Sequence, residues 1–165
     1  MKKLIIFISV FMLFGFSFET DPVPDSDYYP VLMDIDDLRK SVRFEDPRAM
    51  NKTGKIYIKG DYLFVTEKYE GIHVINNSDP SNPQKEGFIR IPGCIDLAVK
   101  NNILYADNAI DLVAIDIGNR EAPELVKRLE NVLPEPAPPT GFIPYQFREG
   151  NRPDNTVIVA WKKND

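Results

Sequence analysis

Cysteine and histidine are almost missing from this chain, with Cys94 and His73 as the single representatives of each. One cysteine excludes an intrachain disulfide, and so few soft ligands exclude an ordinary zinc site. Cys94 reads as a small buried hydrophobe at a strand entry, free Cys being among the most buried residue types. The other use of an odd cysteine in an exported chain is pairing with a partner. Glycine is sparse, nine scattered residues with no G-x-x-x-x-G-K-[ST] phosphate loop. No G-x-S-x-G elbow frames a nucleophile, and no D-x-[DN]-x-[DN]-G loop marks a calcium hand. Positive charge is short too: 20 basic against 25 acidic residues leave a net charge of −5, without the basic stripe of a nucleic-acid binder. No cofactor, metal site or catalytic residue is expected, and nucleic acid is not expected as a partner.

Long apolar runs are also lacking. Leu4 to Phe14, even stretched to Phe18, falls short of the roughly 20 residues of a spanning helix. Behind Lys2-Lys3 and ahead of Gly15-Phe16-Ser17, this run reads as an export signal over residues 1–17, cleaved before Phe18. The chain is therefore expected in the periplasm, on the cell surface or secreted. Membrane attachment would require an uncleaved signal, and no cysteine follows the run for lipid anchoring.

Acid dominates the next stretch, with Asp21, Asp25, Asp27, Asp34, Asp36 and Asp37 among its residues. Phe18 to Pro30, rich in Pro and Asp, reads as an extended solvated leader. Asp34 then suits an N-cap, and Ile35, Leu38 and Val42 share one helical face. Asp36 and Asp37 would lie in the first turn, where negative charge suits the helix dipole. Residues 18–54 thus read as an acidic leader with a short docking helix.

What the chain does have is a repeat. Lys55-Ile-Tyr-Ile-Lys59 and Tyr62-Leu-Phe-Val65 are answered by Asp96-Leu-Ala-Val-Lys100 and Ile103-Leu-Tyr-Ala106. Gly71-Ile-His-Val-Ile-Asn76 is answered by Asp111-Leu-Val-Ala-Ile-Asp116, and Pro83 by Pro123. A period of roughly 40 residues with several short strands per unit is the mark of a β-propeller blade. The expected fold is all-β: a partial β-propeller of two four-stranded blades over residues 55–133, an extra strand, and the N-terminal helix. Gly60-Asp61 and Asn101-Asn102 provide the first hairpin of each unit, both tolerating left-handed backbone. Leu125, Val126, Leu129 and Val132 fit one helical face as well as a strand. Their alignment with Gly87 and the Ile-Arg-Ile run of the first unit favours strand. Residues 134–165 begin as a Pro-rich linker, Pro134-Glu-Pro-Ala-Pro-Pro139, and end in one strand, Thr156–Trp161, of an incomplete further unit.

The third strands and the loops after them resemble the bacterial LVIVD-repeat family. Leu112-Val-Ala-Ile-Asp116 nearly spells the motif, Ile72-His-Val-Ile-Asn76 is a looser copy, and Ser78-Asp-Pro-Ser-Asn-Pro83 matches the Ser-Asp-Pro-x-x-Pro loop. From Tyr29 to Leu133 the chain also resembles the front part of longer exported members from Bacteroidetes-like bacteria. The resemblance implies a propeller and no catalytic motif. The second unit departs from it, with Gly118-Asn-Arg-Glu-Ala-Pro123 in place of the Ser-Asp-Pro loop.

The expected function is that of an exported, non-enzymatic, propeller-like binding or scaffold module of unknown ligand, with protein as the expected partner, by self-association or through other propeller units. Propellers typically use about 4 to 8 blades, and open blade faces invite pairing with another chain. The aromatic and basic cluster Phe142, Tyr145, Phe147, Arg148 and Trp161 is the candidate interaction surface. Two alternatives stand beside it. One is an enzyme with a site at the propeller axis joining Asp96 and Asp107 with His73. The other is a truncated remnant of a longer propeller protein.

Overall fold

The structure is a computed structural model and describes residues 27–164; the expected export signal and residues 18–26 of the expected acidic leader lie outside them. The elements in chain order are β1 (Tyr28–Asp34), α1 (Ile35–Lys40), β2 (Arg43–Glu45), β3 (Thr53–Lys59), β4 (Tyr62–Glu67), β5 (Gly71–Asn76) and β6 (Gln84–Arg90). They continue with β7 (Leu97–Lys100), β8 (Ile103–Asn108), β9 (Asp111–Asp116), β10 (Glu124–Leu129) and β11 (Thr156–Lys163), with one 3-10 turn at Tyr145–Phe147.

The two repeats form two antiparallel meanders, as the expected partial propeller requires. The first is the sheet β2-β6-β5-β4-β3, the second β10-β9-β8-β7. The fifth strand, β2, extends the first blade beyond four, because Arg43 to Glu45 pairs with Phe88 to Arg90 along the outer edge. The first hairpin of each blade turns on a left-handed residue at the same step, Gly60 (φ 56°) and Asn101 (φ 56°). The loops after β5 and β9 are equivalent as well. Asn76 and Asp79 accept from the backbone of Ser78 and Ser81, and Asp116 and Asn119 accept from Gly118 and Glu121. The second unit thus keeps the turn scaffold without the Ser-Asp-Pro letters, since any short Asp or Asn side chain can close an Asx turn.

Strand alternation sorts each blade into two faces. Tyr57, Phe64, Ile72, Val74 and Ile89 of the first blade face Leu97, Leu104, Val113 and Ile115 of the second, and these residues form the main core. The continuous burial of β5 shows the first blade covered on both faces, whereas β8 and β9 alternate, with one face of the second blade buried. Cys94 is in this core, fully buried, and burial pushes its thiol well above the usual range. Gly93 precedes it at φ +82°, and a Cβ there would lie 2.6 Å from the Ala109 nitrogen. The chain can pass between the blades only without a side chain.

The C-terminal strand is not an isolated beginning of a unit. β11 pairs antiparallel with β1, Trp161 opposite Pro30 and Thr156 opposite Asp34. Tyr28 to Pro30, expected in the solvated leader, are already strand. Their register partners lie more than a hundred residues away, beyond the reach of local periodicity. α1 docks where expected. Asp34 caps it, accepting from the Asp36 nitrogen at 2.8 Å. Leu38 is buried in a second cluster with Ala109, Val157 and Val159. The helix ends at Lys40, so Val42 leaves the helical face and packs on the main core instead. Among the described residues, no helix is long and apolar enough to cross a membrane.

Candidate functional site

At the inner end of the blades, equivalent strands are strapped together. The Lys55 ammonium bonds the Asp96 carboxylate, the Tyr57 hydroxyl donates to the Val99 carbonyl at 2.9 Å, and the Lys59 ammonium bonds the Asn101 carbonyl. The Lys55 bond holds the exposed Asp96 carboxyl below the usual carboxylate range. Asp107 answers it from β8, accepting from the Ile95 and Asp96 nitrogens at 2.9 and 2.8 Å. Burial raises its carboxyl against the pull of those donors. Asp107 therefore shapes the entry to β7.

His73 does not join them. It lies on the opposite side of the first blade, on the face turned away from the second, with Phe88 edge-on at 4.9 Å. Its Nε2 is 3.1 Å from Glu67. Glu67 also accepts from the backbone of Asn51, at 3.0 Å, and of Lys52. Burial alone would raise the Glu67 carboxyl, but these donors together hold it below its usual range. Burial lowers His73, with Glu67 opposing. The pair pins the strap of residues 46–52 across the blade. The axial trio Asp96, Asp107 and His73 is thus divided between two blades, with His73 on the far face of one.

The five residues of the expected interaction surface are also divided. Trp161 is buried, its Nε1 donating to the Pro136 carbonyl at 2.7 Å. Phe147 is half-buried against it, with ring centroids 5.9 Å apart. Phe142 and Tyr145 are 60% and 66% exposed, and the exposed Arg148 donates from Nε to Ile143 at 3.0 Å.

Alternation exposes a second apolar surface. The residues of the second blade that correspond to Tyr57, Phe64, Ile72 and Val74 are Ala98, Tyr105, Leu112 and Ala114. In the first blade that set is packed; in the second it faces outward, with Tyr105 36% exposed. The linker Leu133–Ala137 crosses part of this face and leaves a cleft of about 530 Å³ beside it. On the far face of the first blade, Ile56 and Ile58 are 64% and 68% exposed. They correspond to Leu97 and Val99, which are packed in the second blade. Each blade thus has a front that fits a back. One front and the inner end of one back are open. The offset of the two repeats contained this signal, but it emerges only when front and back residues are tracked separately.

Among the described residues, no cluster of His, Cys, Asp and Glu could hold a metal ion. Compared with protein families, the chain matches the LVIVD repeat twice, over residues 51–88 and 94–130. Neither the curated proteins nor the solved structures include a match.

Proposed function

We propose that this chain, an LVIVD-repeat protein by its two matched segments, is an exported, non-enzymatic module that binds other propeller-blade units through its open faces. One observation carries the reading. The outward-facing set Ala98 and Tyr105, exposed, with Leu112 and Ala114, half-buried, occupies the positions that, one blade earlier, pack against a neighbouring blade. A second copy of the chain presents the inner end of the matching back, Ile56 and Ile58, beside the strap of residues 46–52. Such a contact joins different surfaces and is head-to-tail, so it closes into a ring or grows as a chain.

Export is supported by Lys2-Lys3, the apolar run to Phe14 and the small residues at 15–17. Mass spectrometry of the secreted or periplasmic protein should find Phe18 at the N-terminus; an intact Met1 would contradict cleavage. Sedimentation velocity tests the binding. The wild-type chain should associate as its concentration rises, and Tyr105→Glu should abolish association without altering the melting temperature by more than a few degrees. Association that survives this substitution would contradict the front face as the binding surface.

A further inference from the structure

We propose that the cleft between the β1/β11 strand pair and the first blade is a binding site for an acidic peptide segment. This rests on the reading of the chain as a protein-binding module. The cleft has a volume of about 480 Å³, within the range of about 300–1,000 Å³ of sites for small ligands.

Its charge runs against that of the chain. Lys52, Lys68, Arg90, Lys162 and Lys163 line it, with Glu67 and Glu70 as the carboxylates. Both carboxylates are engaged. Glu67 accepts from two backbone nitrogens and lies against His73, and Glu70 pairs with Arg48. Among the described residues, no acid pairs with any of the five cations. A cleft of net positive charge with low-dielectric walls draws the opposite charge toward it.

Arg90 is the guanidinium among them. Its Nε is buried without a hydrogen-bond partner, as are those of Arg39, Arg120 and Arg152 outside the cleft. A buried donor left unmade carries a free-energy cost that a ligand can remove. Guanidinium matches the planar fork of a carboxylate and forms two parallel bonds with it. Lys68 is held at the rim, its Nζ 5.0 Å from the Tyr69 ring centroid.

The remaining lining distinguishes the ligand class. Val31, Met33 and Val159 of the β1/β11 pair also line the cleft, on the same strand pair as Lys162 and Lys163 and across from Lys52, Lys68 and Arg90 of the first blade. They suit aliphatic side chains better than the hydroxyls of a sugar. A peptide in which acidic and aliphatic residues alternate would meet both kinds of lining.

Calorimetry on the full chain tests this with a short peptide alternating Glu and Leu, its Gln/Leu counterpart and a sulfated polysaccharide. Saturable binding of the Glu/Leu peptide is expected, weakening with salt as charge pairs are screened. Arg90→Met should weaken it at least about tenfold, the equivalent of a lost charged hydrogen bond. The double variant Lys162→Ser, Lys163→Ser changes only exposed side chains and should also weaken it if Arg90→Met fails to fold. Tyr105→Glu should leave it unchanged, so loss of self-association and loss of peptide binding are separable. Three results would overturn the proposal: no saturable binding, equal binding of the Gln/Leu peptide, or tighter binding of the polysaccharide through the same residues.

Discussion

Asp111 is a buried carboxylate on which two arginines converge. It is fully buried and accepts from Arg128 Nη1 at 2.8 Å and from the Asn131 nitrogen at 2.9 Å, with Arg39 Nε 3.5 Å away. Arg128 also reaches Asn108, at 2.7 Å, and the Arg39 carbonyl, at 3.2 Å, so the network ties α1 to the second blade. Asp111→Ala leaves a buried guanidinium without its acid and should cost about 3–5 kcal/mol, measurable as a lower urea midpoint. The repeat conceals this role, because Gly71 occupies the corresponding position of the first blade. Cys94 was legible, since a lone Cys at a strand entry packs as a small hydrophobe. Its raised thiol and full burial imply no reaction with a maleimide in the native state and rapid reaction in denaturant; fast native labelling would contradict its placement. His73 and Glu67, a buried pair, contribute to the acid limb of stability. Both are lowered in the folded state from ordinary values of 6.5 and 4.5. Each contribution is therefore fully present above its ordinary value and is lost as pH falls through the lowered one. Stability should decline below pH 6.5 and again below 4.5. Denaturant titrations of His73→Phe should flatten the first decline, and an unchanged slope would contradict a buried neutral imidazole.

The elements were legible to the extent that they repeat. β10 illustrates this. Leu125, Val126, Leu129 and Val132 fit a helix by spacing, yet Glu124–Leu129 is a strand, as the alignment with Gly87 to Ile91 implied. β2 was not legible, because Arg43-Phe-Glu45 is short and its partner is set by tertiary contact along the edge of β6. β1 was not legible: by sequence Tyr28 to Pro30 read as leader, and no strand is read at Val31 to Met33. Its pairing with β11 joins segments more than a hundred residues apart, which no local pattern encodes. α1 was legible from its cap and from Leu38, although two turns of helix would be marginal without docking. Leu38→Ala should therefore remove about 2–5 kcal/mol and increase amide exchange in α1 and in β1 beside it. Loss of stability without that local exchange would contradict docking through Leu38.

At the scale of the whole molecule, one core joins the two blades and a second fastens the β1/β11 pair and α1 to the turn at Ala109. The candidate site was only partly legible. Phe142 and Tyr145 are exposed, but Trp161 is a buried support for the linker, and a single aromatic cannot be assigned to surface or core from neighbours in sequence. The front-and-back logic is where sequence and structure meet. Tyr105 corresponds to the packed Phe64, and Ile58 to the packed Val99, so the central claim is that another blade unit covers what is open. Light scattering on two variants tests this most directly, using chains that begin at Phe18. Tyr105→Glu loses the front and Ile58→Glu loses the back, so each alone should be monomeric. An equal mixture retains one intact front and one intact back, and it should form a dimer of one chain of each kind. A mixture that stays monomeric, beside a wild-type chain that associates, would contradict head-to-tail packing of blades.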